Sequence, residues 1–326
     1  MQLTDCMQFR TMSAVWLQLG QCGNQLGLEW WQLLTNENAA HQESDRYPFF
    51  ARDGKLSALC VDSEPKVIRK LQKQIKKGVF RDSNLILGQS GRGNNWAYGL
   101  GARLCEAIRD EYPLGYILSV TVAPHQAGES PLQHYNSLLS LSWLQRISMG
   151  MEPWELLRSV CPNPTMKFLY TAQACKRGTA FWDSLISSVV HTLPRESASG
   201  QPHFSTSVLA VARSNQDNSF LLSQNSVLLK LKQAYRCVTW NPFPVDCWID
   251  FKNIIDPGHH SHSLTVCANH SSVIDLLEWV TEKAQVMYKA HAYLHWYWKY
   301  GCEEEDFQQA FDTLQSVMKD YSSVEH

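Results

Sequence analysis

Residues 14–20 (AVWLQLG) form a short apolar run that ends in glycine, and the small and polar residues GQCGNQ follow at once. Beyond them Leu26, Trp30 and Leu33 or Leu34 recur at three- and four-residue spacing. The run predicts a strand, and the spacing predicts one face of a helix. The pattern repeats. SALCVD (57–62) predicts a second strand, and SEPKVIRKLQKQIKKG predicts an amphipathic helix with Val67, Leu71 and Ile75 on one side and Gly78 as its cap. NLILG (84–88) predicts a third strand, ARLCEAIRDEY (102–112) a helix, and GYILSVTVAP (115–124) a further strand. Strand–loop–helix units in series predict an open parallel α/β sheet, with ligand loops at the carboxyl ends of the strands.

The second half has a different pattern. TMKFLYTAQA, FSTSVLAVAR and HSLTVCANHSS predict strands, and FWDSLISSVVHTL and NSVLLKLKQAYR predict helices. VIDLLEWVTEKAQVMYKAHAYLHWYWKYG predicts one long helix ending at Gly301. In the last helix Glu303, Glu304, Glu305 and Asp306 lie where the macrodipole favours anions. Phe307, Phe311, Leu314, Met318 and Tyr321 form an apolar stripe that must lie on the body or on a partner. The most loop-like stretches are 194–203 and 255–263.

Composition narrows the class. The chain has 326 residues, a formal charge of −2 and 12 tryptophans. The charge argues against nucleic acid or an anionic membrane as an obligate partner, and no stretch approaches the roughly 20 apolar residues that span a bilayer. Residues 1–12 lack an apolar leader core, so they read as an extension of a cytosolic chain. Ten cysteines without a CxxC pair read as small buried residues.

Three loops carry candidate chemistry. In GQCGNQ, Gly20 permits a tight bend, Gly23 lets backbone approach an anion, and the first helical amides face it. A plain turn fits the same residues, because glycines at 20, 23 and 27 miss the GxGxxG spacing. In VDSEP (61–65), Glu64 with Asp62 nearby fits a Mg²⁺ water shell or a ribose hydroxyl, and a helix entry with Pro65 fits equally. In GQSGRGNNWAYG (88–99), Gly91, Gly93 and Asn94 offer amides to a phosphate chain, or form a flexible loop. Cys22 has no evident histidine partner and reads as a packing and ligand-contact residue. The basic positions Lys66, Arg69, Lys70, Lys73, Lys76 and Lys77 fit an anion-binding face, and fit a solvated helix face better, given the acidic total; His259, His260 and His262 fit a metal site, and fit a solvated loop better, since no fourth ligand has a suitable spacing.

In this order the three loops resemble the N-terminal signature of the tubulin superfamily, and the resemblance continues through HYNSLLSLSWL, CPNPTMKFLYTAQ and the closing segment ANHSSVIDLLEWV…HWY…CEEEDF. EPKVI, GNNWAY and YGCEEEDF resemble the delta and zeta branch. The resemblance implies a tubulin-like α/β fold. It comprises an incomplete parallel-sheet GTP-binding domain (13–153), an intermediate α+β domain (154–270) and a C-terminal helical region (271–326). It implies GTP with Mg²⁺ as cofactors. Gln21 and Cys22 would touch the nucleotide, Glu64 would lie near the metal, and Gly91, Gly93 and Asn94 would line the phosphates. It further implies a cytoskeletal protein of microtubules at centrioles or basal bodies, with other tubulins or centriole proteins as partners. Lys176 and Arg177 fall where the family's lateral-contact loop lies.

The chain also departs from the family. Gly99 runs directly into LGARLCEAIRDEYP, and the family's GGTGSG phosphate loop is not in the sequence. ISMGMEP (147–153) stands where the remainder of the first domain and the central helix would lie, so no residue takes the base contacts or the hydrolytic role. YSSVEH closes the chain without the acidic tail of α and β tubulins. GTPase activity is implied by resemblance and opposed by these gaps. The rival expectation is a truncated isoform with impaired GTP binding, acting only as an interaction module or without function.

Overall fold

The computed structural model describes residues 14–40, 50–51, 53–62, 64–74, 80–88, 96–113, 115, 117–124, 131–147, 160–163, 165–177, 182–214, 219–250, 261–299 and 301–324. The chain divides into two compact units, 1–97 and 98–326.

The first unit begins with β1 (Trp16–Leu19), α1 (Gly20–Ala40), β2 (Ala58–Asp62) and α2 (Pro65–Gln74), and a 3-10 turn at Asp82–Asn84 leads into β3 (Leu85–Leu87). The strands form a parallel sheet in the order β1-β2-β3, with Trp16 opposite Ala58 and Cys60 opposite Leu85. Parallel neighbours need a crossover, and α1 and α2 supply it. The passage from β1 to α1 needs a residue of positive φ, which Gly20 supplies at 68°.

The core of this unit is small. α1 contributes Leu28 and Trp31, α2 contributes Ile68 and Leu71, and the β2 segment contributes Leu56, Ala58 and Cys60. The buried stripe of α1 is therefore Asn24, Leu28 and Trp31, not the expected Leu26 face: Leu26 is exposed, and Trp30 is only half-buried, stacked on Trp16 with ring centroids 5.0 Å apart. On α2 the buried positions are Ile68 and Leu71, while Val67 is half-buried and Ile75 and Gly78 lie outside the described residues. Burial pushes the Cys60 thiol up to about 12, so it stays protonated and donates to Gln18 Oε1 at 3.3 Å. The Gln18 side chain fills the place where a Cβ on Gly27 would stand, 2.0 Å from Nε2, which leaves glycine as the residue that fits there.

In the second unit, α3 (Trp96–Glu111), which carries the junction, precedes α4 (Gln133–Ile147). β4 (Tyr170–Arg177), α5 (Trp182–His191), β5 (Ser205–Ser214), α6 (Ser219–Ala234), β6 (Val245–Asp250) and β7 (Ser261–His270) follow. The chain closes with α7 (Val273–Lys289), α8 (Leu294–Trp298) and α9 (Glu304–Ser323). The sheet order is β4-β7-β5-β6, antiparallel except between β5 and β6. Trp182, Leu185, Phe220 and Leu231 of α5 and α6 pack on Val208, Ala210, Val266 and Ala268. A second core joins Tyr135 and Leu138 of α4 to Leu277 and Val280 of α7 and to Phe307, Phe311, Leu314 and Tyr321 of α9. The stripe of the last helix thus lies on the body of the protein. Glu303 and Asp306 close a capping box at its start. Tyr321 OH donates to Asn269 Oδ1 at 2.7 Å and Asn269 Nδ2 donates to the Met166 carbonyl at 2.7 Å, which ties α9 to β7.

Four sequence expectations are corrected. Residues 117–124 form no strand. Leu118, Val120 and Val122 are exposed, and an alternating run without a neighbour to complete its hydrogen bonds stays irregular. The expected single helix over 273–301 breaks after Lys289, where His291 and Tyr293 adopt φ of 50° and 60°. Ser261–Ser263 belong to β7 rather than to a loop. His262 is buried with its ring edge-on to Trp182 at 5.5 Å, and His259 and His260 lie outside the described residues. β6 was not foreseen, because VDCWID is half-buried along its length and shows no clean alternation.

His270 at the end of β7 is buried, and its Nδ1 accepts from the Ser272 backbone N–H at 3.3 Å. Burial, and then the neighbouring His203, push its pKa down from 6.5 to about 4. The unfolded chain therefore binds more protons between those values. Stability is full above about pH 6.5 and falls toward pH 4, by up to about 3 kcal/mol from this group. Urea unfolding at pH 7 and pH 4.5 checks this. The wild-type chain should lose more stability on acidification than His270→Asn, and equal losses would contradict the assignment.

Candidate functional site

The carboxyl ends of β1 and β2 meet the amino ends of α1 and α2 within the first unit. A groove of about 670 Å³ opens there, a size in the range of small-molecule sites. Gln21, Cys22 and Asn24 line it from α1, and Glu64, Lys66 and Lys70 line it from the start of α2. Neither helix has an acidic residue in its first turn to neutralise its amide end. The amide end of α1 favours an anion, whereas the carboxylates of Asp62 and Glu64 stand at the entry to α2.

The floor is set by Asn24 and Asp62. Asn24 is 1% exposed, and its Nδ2 donates to the Gly20 carbonyl at 2.8 Å, the Val61 carbonyl at 3.2 Å and Asp62 Oδ2 at 3.4 Å. Asp62 Oδ1 accepts the Glu64 backbone N–H at 2.9 Å, and the Asp62 carbonyl accepts the N–H of Gly88 at 2.8 Å. The last residue of β2 thus ties together the start of α1, the turn into α2 and the end of β3. Asp62 is 5% exposed, and its two oxygens face Asn24 and the Glu64 N–H. Asn24 Oδ1 is buried in the same wall without a hydrogen-bond partner among the described residues.

The expected nucleotide contacts Gln21 and Cys22 are exposed on the groove, and Glu64, the expected metal neighbour, lies across it on the α2 side. Gly91, Gly93 and Asn94 lie outside the described residues. Gly23 faces the Gln18 backbone, where a Cβ would be in ordinary contact at 3.6 Å, so the expected close approach to an anion is not what this glycine provides. Asn24 was missed. The signal for it was a polar residue at i, i+4 and i+7 with Leu28 and Trp31. A Mg²⁺ ion is commonly held by one or two carboxylates together with phosphate oxygens and water. Glu64 alone fits that pattern if phosphate supplies the rest. Among the described residues no group of three or more metal-ligating side chains gathers.

The first unit is thus a small parallel α/β unit with a groove at the strand ends, and comparison with known proteins says what it resembles. The sequence profile of the Tubulin/FtsZ family, GTPase domain, matches residues 13–103. The tubulin delta chains of Canis lupus familiaris and Homo sapiens are each 23% identical over 460 residues, covering 96% of this chain and 100% of their own length. The tubulin beta chain of Coprinopsis cinerea is 21% identical over 426 residues, covering 95% of each chain. The chain is thus similar to tubulins along nearly its whole length, and its first part matches their GTPase domain. The 460 aligned residues exceed the 326 of this chain, so the relatives contain well over a hundred positions with no counterpart here. Those positions lie within the aligned span, since nearly all of both chains is covered.

Replacing Asn24 by alanine removes the donor that joins α1 to the Val61 carbonyl and to Asp62 Oδ2. Such a loss costs about 1–3 kcal/mol at a buried site. Limited proteolysis should then cut the first unit sooner in Asn24→Ala than in the wild type, with the second unit unaffected. Equal resistance of both chains would show that Asn24 does not hold the site.

Proposed function

We propose that this chain is a guanine-nucleotide-binding structural protein of the delta and zeta kind of tubulin, with GTP and Mg²⁺ held in the groove between α1 and α2. The observation that carries this reading is the convergence of Gln21, Cys22 and Glu64 on one groove beside the amino end of α1. Gln21 and Cys22 contact the nucleotide, Glu64 holds Mg²⁺ through its water shell, and Gly91, Gly93 and Asn94 complete the phosphate contacts from the third loop. The protein acts in microtubule structures at centrioles or basal bodies, with other tubulins or centriole proteins as partners. The tubulin delta chains among its relatives support the delta-like part of this reading. The functional divisions are the nucleotide domain (13–153), the intermediate domain (154–270) and the C-terminal helices (271–326).

Binding is expected to be weaker than in a complete family member. A charge-assisted hydrogen bond contributes roughly 1.5–3 kcal/mol, and the missing GGTGSG loop removes several. The missing segments favour a second reading as well, in which the chain keeps only the surfaces of the second unit and serves as an interaction module. Nucleotide analysis of the purified full chain, followed by titration with a fluorescent GTP analogue and Mg²⁺, separates the two. Saturable binding at roughly micromolar to millimolar concentration, with alkylation of the exposed Cys22 slowed by ligand, is the expected result. A folded chain that carries no guanine nucleotide and shows no saturable binding would leave the interaction module as the reading.

A further inference from the structure

Lys66 and Lys70 stand one turn apart on α2, and both line the groove that Gln21 and Cys22 border from α1. They belong to a basic run that the sequence pattern presents as a solvated face. The structure divides that run: Arg69 and Lys73 do not line the groove, and Lys76 and Lys77 lie outside the described residues. Among the described residues neither Lys66 nor Lys70 makes an ion pair, although Glu29 and Glu64 are the other charged side chains of the groove. Without the two lysines the lining would be anionic and would repel a polyphosphate. With them the four lining charges cancel, and the Asp62 carboxylate in the floor is engaged by Asn24 and the Glu64 N–H. Asn24 marks the same wall as a ligand surface, because it is 1% exposed and its Oδ1 is unpartnered.

We propose that Lys66 and Lys70 are the cationic contacts to the terminal phosphates of a bound nucleoside triphosphate, in place of the glycine-rich phosphate loop that this chain lacks. A lysine is a flexible point charge that needs no preformed cradle, so two of them can serve where ordered backbone amides are missing. They act on the phosphates rather than on the base, and so favour the triphosphate over the diphosphate and both over the nucleoside. The inference rests on the groove being the nucleotide site.

The test titrates the full chain with guanosine, GDP and GTP in the presence of Mg²⁺, alongside Lys66→Gln, Lys70→Gln, the double variant and the control Lys73→Gln. All three positions are exposed, so the variants should melt as the wild type does. The double variant should bind GTP at least about tenfold more weakly, with a change of less than about twofold for guanosine and for the Lys73→Gln control. The difference should shrink as salt is raised, because exposed charges are screened. A wild-type chain that binds GTP and a double variant that binds it within about twofold would overturn the lysine assignment and leave the nucleotide site standing. A wild-type chain that binds no guanine nucleotide would overturn the site itself, and the lysine role with it.

Discussion

The carboxamide of Asn24 is the interaction on which the candidate site depends. One buried nitrogen joins the first residue of α1, the last two residues of β2 and, through Asp62, the turn into α2. Without that tie the two helix amino ends would have no fixed relation, and the groove between them would have no defined shape. Burial makes the tie effective. In a low-dielectric wall an unmade hydrogen bond costs more than a made one contributes, so the arrangement is all or nothing.

The rest of the molecule places a weight of structure on the other side of the junction. The first unit is built on three short strands and a core of few side chains, whereas the second has two extended cores. In the second, α4 contributes Tyr135 and Leu138 to the same core as α7 and α9, and Tyr297 OH donates to Asn136 Oδ1 at 2.6 Å. A chain lacking well over a hundred positions of its relatives thus still encloses a continuous helical core. Among the described residues, Ile86 and Leu87 of β3 and the apolar positions Leu118, Val120 and Val122 are exposed.

Much of the fold was legible in the sequence because periodicity reports burial directly. β1, β2, β3, β5, β7 and the last helix all follow from the spacing of their apolar residues. The failures have physical causes. On α1 two apolar stripes compete, and stacking of Trp30 on Trp16 leaves Leu28 and Trp31 to form the buried one. The break near His291 and Tyr293 carries no glycine or proline to announce it. Residues 117–124 have the right alternation, but a strand is a property of a pair, and a single sequence does not reveal that the partner is missing. Of the candidate site, the resemblance pointed to Gln21, Cys22 and Glu64, and the structure brings these three to one groove. The sequence offered the two lysines only within a basic run and did not single out Asn24, because what sets them apart is facing the groove rather than their type.

Hydrogen exchange of the full chain with and without GTP and Mg²⁺ tests the central claim most directly, because it reads each segment of the site separately. The account predicts that nucleotide slows exchange at the start of α1 and across the β2–α2 turn, around residues 20–25 and 61–67, and leaves β5, β7 and α9 unchanged. Exchange that nucleotide leaves unaltered in those two segments, or alters only in the second unit, would contradict it.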